Sequence, residues 1–246
     1  MIRTVHALRS ARLGTVKYEI VALADFQAAS GTVVVIDAIR AFATAATLFD
    51  RGVTAMWCVK TMEHAATLVE EHGAWFVGEN AGRDFELFDF DNSPRAVTSL
   101  HADGRPVVFR TTNGTRGLMA ARDAATVLAL GATTVGATAR WIRQNRPHDP
   151  VAIVCTDVRH QEDRAVADHL ASLLVGEAPD PEQLGTTILA GGEQHLNTWA
   201  PNETAERKAE LRADFAVCAA IDAHNLVMLA EPHPDGFVLL TAIACA

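Results

Sequence analysis

The sequence predicts a layered α/β/α protein built on a mostly parallel sheet. Three observations carry that expectation. The runs Thr32–Ile36 (TVVVI) and Val151–Cys155 (VAIVC) are apolar almost throughout, with no in–out alternation, the pattern of parallel strands covered on both faces. Segments of helical spacing separate such runs at regular intervals, as crossovers between parallel strands require. Hydrophobic residues make up 49% of 246 positions, and a chain of this length can bury roughly 70–75% of its unfolded surface.

In chain order, Thr32–Ile36 is followed by helical spacing over Ala38–Asp50 and a stop at Gly52. Thr54–Val59 reads as a strand, Met62–Glu71 as a helix ended by Gly73, and Ala74–Val77 as a short strand leading to Gly78-Glu79. Pro94–Leu100 reads as a short helix, Pro106–Arg110 as a strand and Gly117–Arg122 as a helix. Then come strand Thr126–Leu130, helix from Thr138 to Gln144, strand Val151–Cys155 and helix Glu162–Val175. Beyond Gly176 the pattern turns helical and polar over Pro179–Gly192 and Glu203–Ala223, and Gly236–Ile243 closes as a last strand. One domain over residues 1–246 is expected, divisible at most into tightly joined lobes of about 1–125 and 126–246. VVVIDAIR (Val33–Arg40) is echoed by AIVCTDVR (Ala152–Arg159), each an apolar strand running into Asp and Arg.

Composition excludes several classes. No apolar run approaches the ~20 residues of a membrane span, and Met1–Leu13 has no apolar core of a secretory leader. Thirty acidic against twenty-one basic residues, net charge −9, oppose binding to nucleic acid or an anionic membrane. Cys58, Cys155, Cys218 and Cys245 are scattered in apolar surroundings with no metal-like or disulfide spacing, so a cytoplasmic protein with reduced thiols is expected. The histidines show no metal-like pairing in sequence, and only His160 lies beside a candidate site.

Ligands of parallel α/β sheets bind just beyond the strands' carboxyl ends, and four such segments are rich in residues that hold phosphate or a hard cation. In the first, Asp37 can ligate a cation and Arg40 can fork onto phosphate oxygens; the competing role of Asp37 is to cap the next helix. In the second, Gly78-Glu79-Asn80-Ala81-Gly82 precedes Phe88-Asp89-Phe90-Asp91-Asn92-Ser93-Pro94. Glu79, Asp89 and Asp91 are candidate oxygen ligands for Mg²⁺, and Asn92-Ser93-Pro94 opens a helix whose free amides favour an anion. In the third, Thr111-Thr112-Asn113-Gly114-Thr115-Arg116-Gly117 makes an anion cradle of hydroxyls, amides and an arginine, or else a plain Asn-Gly turn. In the fourth, Asp157 ends a strand, and Glu162 and Asp163 start a helix where acids commonly complement the dipole.

In this order the segments resemble the 2-phosphosulfolactate phosphatase family. VVVIDAIRAFATAATLFDRG (Val33–Gly52) is similar to its strand, Asp-x-x-Arg-Ala and helix; GENAG…FDFDNSP (Gly78–Pro94) and TTNGTRG (Thr111–Gly117) are similar to its most specific blocks. Thr156–Asp163 and DFAVCAAID (Asp214–Asp222) resemble later segments, so the likeness runs from about Val33 to Asp222. Departures are Asp91 for a usual glycine, Arg110 for a usual threonine, and a rewritten loop over Asp157–Asp163 with an added arginine and histidine. The resemblance implies an α/β/α fold, Mg²⁺ as cofactor, and a small anionic phosphoester of a 2-hydroxy acid as substrate.

The mechanism expected from both lines is metal-assisted hydrolysis of a phosphomonoester. Asp37 and Glu79, with Asp89 as a third candidate, hold Mg²⁺. Arg40, Arg116, Thr112, the Asn113–Gly114–Thr115 amides, Asn92 and Ser93 take the phosphoryl group. Asp157 or Asp89 either orients water or attacks. Two rivals remain: a non-catalytic phosphometabolite-binding protein, and a haloacid-dehalogenase-like phosphatase using Asp89 in its Asp-x-Asp stretch, although that motif ordinarily follows a strongly apolar strand and here follows Arg83-Asp84-Phe85-Glu86. Small α/β enzymes of this size frequently pair, so a homodimer is one assembly open to the chain.

Overall fold

A computed structural model describes residues 16–27, 30–79, 87–157 and 160–245. The leader reading of Met1–Leu13, the segment Asn80–Glu86, and Val158-Arg159 lie outside the described residues.

Among those described, ten strands form one sheet with seven α-helices around it. The strands are β1 (Tyr18–Ala22), β2 (Thr32–Ile36), β3 (Ala55–Cys58), β4 (Trp75–Gly78), β5 (Phe90–Asp91), β6 (Val107–Arg110), β7 (Thr126–Leu130), β8 (Val151–Cys155), β9 (Leu226–Pro232) and β10 (Val238–Ala244). The helices are α1 (Ala41–Asp50), α2 (Met62–His72), α3 (Gly114–Ala121), α4 (Val135–Asn145), α5 (Gln161–Leu174), α6 (Pro181–Thr198) and α7 (Ala205–Cys218). Residues 96–99 form a single 3₁₀ turn where the sequence suggests a longer helix.

The sheet order is β1-β8-β2-β7-β9-β10-β3-β6-β4-β5. Two parallel blocks, β1-β8-β2-β7 and β3-β6-β4-β5, are joined by the antiparallel hairpin β9–β10. Because three successive pairings at the hairpin are antiparallel, the two blocks run in opposite directions. They are also interleaved along the chain, since β1 and β2 share a block with β7 and β8. The echo VVVIDAIR/AIVCTDVR proves to be a pair of neighbours: Val33 pairs Ala152 and Ile36 pairs Cys155, which brings Asp37 and Thr156 out side by side.

Every residue of β2, β7 and β8 is buried, and each Val, Ile or Leu so placed contributes about 1.5–3 kcal/mol. Val33 and Val35 of β2 face a core that also takes Val77, Phe109 and α1, while Val34 and Ile36 face α4, α5 and α6. A third cluster packs α2 on β3, β4 and β6. Helix α1 is buried along nine of its ten residues; its alanines let it lie against both blocks at once, which a wider side chain would prevent. The four cysteines are free thiols, three of them buried. No described helix is long and apolar enough to cross a membrane.

Candidate active site

The helix expected from Ala38 begins three residues later, at Ala41. Asp37 Oδ1 accepts the Ala41 N–H at 3.3 Å, so the carboxylate does cap the helix, and residues 38–40 are left as a turn that presents Arg40. Arg40 is the hub of the site. Its Nη1 lies 2.9 Å from Asp214 and 3.4 Å from Asp91, and its Nη2 lies 3.7 Å from Glu79, with the Arg40 side chain 11% exposed. Burial alone would lower the Arg40 pKa, but Asp91, Glu79 and Asp214 outweigh it and hold the guanidinium charged well above its usual range.

The carboxyl ends of the two opposed blocks meet here because α3 carries the chain from the end of β6 across to β2. A side chain at Gly114 would fall 2.9 Å from Ala41 Cβ and 3.1 Å from Asp37 Oδ2, so glycine lets the start of α3 lie against Asp37. Glu79, at the end of β4, accepts Thr112 N–H on Oε1 (3.3 Å) and Asn92 Nδ2–H on Oε2 (3.2 Å). Gly78 is required just before it: a Cβ there would sit 1.9 Å from Arg110 O, with φ at 153°. Gly78→Ala is therefore expected to lower stability by about 1–3 kcal/mol and to displace Glu79, read by chemical denaturation beside activity.

Asp37 is only 6% exposed. Burial first, and then the carboxylates of Asp163, Glu79 and Glu162, push its pKa well above the usual range, against the Ala41 N–H bond. The Asp163 oxygens in turn accept Ala38 N–H (2.8 Å) and Thr156 Oγ1–H (3.0 Å). Burial still pushes the Asp163 pKa up to about 7, with Glu162 adding to the rise.

The cradle at α3 divides into two roles. Thr111 and Thr115 close on each other: Thr115 N–H donates to Thr111 Oγ1 (3.1 Å), Thr111 N–H to Thr115 Oγ1 (3.2 Å), and Thr115 Oγ1–H to Thr111 O (2.8 Å). They hold the turn. Thr112 Oγ1 is buried without a hydrogen-bond partner among the described residues and its residue lines a cavity of 420 Å³, together with Arg40, Glu79, Asn113, Arg116 and Asp157. Arg116 is exposed and donates to Asn113 Oδ1 at 3.2 Å.

Asn92, Ser93 and Asp89 are placed otherwise than the sequence suggests. Asn92 holds Glu79, and Ser93 Oγ donates to Asp214 Oδ1 at 2.5 Å while accepting Ala96 N–H. Both are buried and stand behind the carboxylates. Asp89 is exposed, and its Oδ2 accepts Phe76 N–H at 2.8 Å while its own N–H donates to Phe76 O. It ties β4 to the following loop and does not line the cavity. Asp91 reaches the site instead, bridging Arg40 and Arg207 of α7, the latter at 2.6 Å.

Three site residues escape sequence reasoning, among them Arg207 of α7, which holds Asp91 and lines the cavity. Asp214 is 1% exposed and receives Arg40, Ser93 and Arg95 N–H; the legible signal is a carboxylate on the buried stripe Asp214, Phe215, Cys218 of an otherwise polar helix. His195 of α6 lies with its ring centre 4.5 Å from that of His160, a histidine pairing with no sequence spacing to announce it.

A family model described as 2-phosphosulpholactate phosphatase matches residues 18–232. A protein of Gloeobacter violaceus named "Probable 2-phosphosulfolactate phosphatase" is 33% identical over 205 residues, covering 77% of this chain and 84% of its own. Namesakes in Thermus thermophilus and Prochlorococcus marinus are 37% identical over 139 residues (56% of each chain) and 27% identical over 210 residues (78% of this chain, 85% of the relative). With the match spanning every strand of the sheet but β10, this chain belongs to the 2-phosphosulpholactate phosphatase family.

Proposed function

We propose that the chain is a Mg²⁺-dependent phosphomonoesterase acting on a small phosphorylated 2-hydroxy acid, with 2-phosphosulfolactate as the model substrate. The observation that carries it is a largely buried guanidinium, Arg40, fixed by Asp214 on the wall of one cavity with Thr112, Asn113 and Arg116, while the buried carboxylate Asp37 lies against the start of α3.

The donors fit Mg²⁺. Asp37 and Glu79 offer oxygens only, as this ion prefers. Each Glu79 oxygen accepts one hydrogen bond from Asn92 or Thr112 and keeps a further lone pair. Among the described residues Asp37 and Asp163 have no ion-pair partner, so the charge that raises the Asp37 pKa is one a divalent ion neutralises. When bound, Mg²⁺ supplies charge neutralisation at a phosphate oxygen.

The chain's own residues do the rest. Arg40 clamps the phosphoryl group in an orientation set by Asp214. Thr112 N–H serves Glu79 and Thr115 N–H serves Thr111, which leaves the amides of Asn113 and Gly114 and the Thr112 hydroxyl for equatorial oxygens. Arg116 and Arg207, on the cavity wall, receive the substrate's acid group. Asp157 is the cavity carboxylate that orients attacking water, or attacks in its place. Asp89, tied to Phe76 on the outside, supports neither a metal role nor the haloacid-dehalogenase-like alternative.

Phosphate release from phosphosulfolactate, phospholactate and phosphoglycolate, with Mg²⁺ and then with EDTA, tests this reading. Release is expected with Mg²⁺ and lost with EDTA. Saturable binding of these esters without release would replace the phosphatase by a binding protein.

A further inference from the structure

We infer that His160, Glu162 and His195 form a binding site for a divalent transition-metal ion, distinct from the oxygen donors of Asp37 and Glu79 and independent of the phosphatase reading. The three residues come from two elements. His160 and Glu162 flank the start of α5, and His195 projects from α6. One ligand atom from each lies within 4.8 Å of the others. His195 Nε2 is 2.8 Å from Glu162 Oε1, and His160 Nδ1 is 3.9 Å from the same oxygen. Ligands about 2.0–2.2 Å from one ion stand roughly 3–4 Å apart, so sub-ångström adjustments suffice.

The packing builds this arrangement. The Glu162 side chain is 1% exposed, an expensive place for a carboxylate. It fits only because residue 191, one turn before His195 on α6, is glycine: a Cβ there would fall 2.4 Å from Glu162 Oε2. Despite their 2.8 Å approach, neither Glu162 Oε1 nor His195 Nε2 makes a directed hydrogen bond among the described residues. A ring nitrogen and a carboxylate oxygen that meet at 2.8 Å without hydrogen-bond geometry are a pair that a shared cation accommodates.

Donor chemistry selects the ion. Two imidazoles and one carboxylate suit zinc, cobalt, nickel or manganese and not the all-oxygen preference of Mg²⁺. Three protein ligands leave positions open for water or a ligand oxygen. Those positions face solvent-accessible space, because the three residues line a cavity of 320 Å³ under Trp199. His160 and His195 also line the 420 Å³ cavity, so an ion here stands on the wall of the substrate space.

Co²⁺ titration of the full chain in excess Mg²⁺ tests the site by visible absorption, a readout that needs no turnover. The expected result is one equivalent bound with the strong band of nitrogen-ligated cobalt, retained in Asp37→Asn and lost in His160→Ala/His195→Ala. Zn²⁺ added to the unmodified protein should shift the ring ¹⁵N resonances of both histidines, which covers the case of a double variant that does not fold. A wild-type protein with no such band, a band that survives the double variant, or a band that vanishes in Asp37→Asn would each overturn the assignment.

Discussion

Asp37→Asn is expected to cut phosphate release by about 10²–10³-fold or more while leaving the fold intact. Asparagine keeps an oxygen for the Ala41 N–H that Asp37 now caps but brings no charge to a divalent ion. Stability should move the other way. The Asp37 pKa is raised by burial and by Asp163 and Glu79, so the folded state holds its proton at pH values where the unfolded chain has released it. Such a group favours folding fully below the unfolded pKa, near 3.9, and that contribution is lost as pH rises through the folded value. In EDTA, the melting temperature of Asp37→Asn should therefore gain on that of the wild type as pH climbs from 5 to 8. Thermal melts across that range beside turnover measurements check both halves. An Asp37→Asn protein with wild-type turnover would remove Asp37 from the chemistry.

The second large effect falls on Arg40. Arg40→Met should lower phosphate release by about 10³-fold or more, the order seen when an arginine that stabilises phosphoryl-transfer charge is removed. It should also cost about 3–5 kcal/mol of stability, the usual result of breaking a buried pair from one side. Among the described residues Asp214, 1% exposed, then retains only Ser93 and the Arg95 amide. Adding Asp214→Asn to Arg40→Met should recover most of the stability and none of the activity. Denaturant unfolding of the two single variants and the double variant gives the coupling directly. A fully stable Arg40→Met protein would mean that Asp91 and Asp214 are neutralised elsewhere, Arg207 being the neighbouring guanidinium.

Much of the site was readable before any tertiary contact. Asp37, Arg40, Glu79, Asp157 and the Thr112–Arg116 turn all follow apolar strands in the sequence, and all of them line or adjoin one cavity. Asn92 and Ser93 were legible as important but not in their direction: a short polar block shows that hydrogen bonds will be made there, not which way they point, and theirs run back to Glu79 and Asp214. Asp89 and Asp91 are two residues apart with the same side chain, and only the β5 pairing of Asp91 with Gly78 decides which faces Arg40. Asp214 and His195 were invisible as partners because helices α6 and α7 are brought to the site by long-range packing.

The sequence by itself determined the α/β class, the apolar strands β2, β7 and β8 and the acid-and-arginine chemistry at their ends, because burial on both faces and strand-end position leave a local imprint. Only the tertiary structure decided that a β9–β10 hairpin turns one parallel block against the other. It alone decided that α3 nevertheless brings the carboxyl ends of both blocks to Arg40, and that two histidines meet over Glu162. Sheet order and helix docking are set by the total apolar area buried across distant segments, a quantity to which each segment contributes and which none encodes alone.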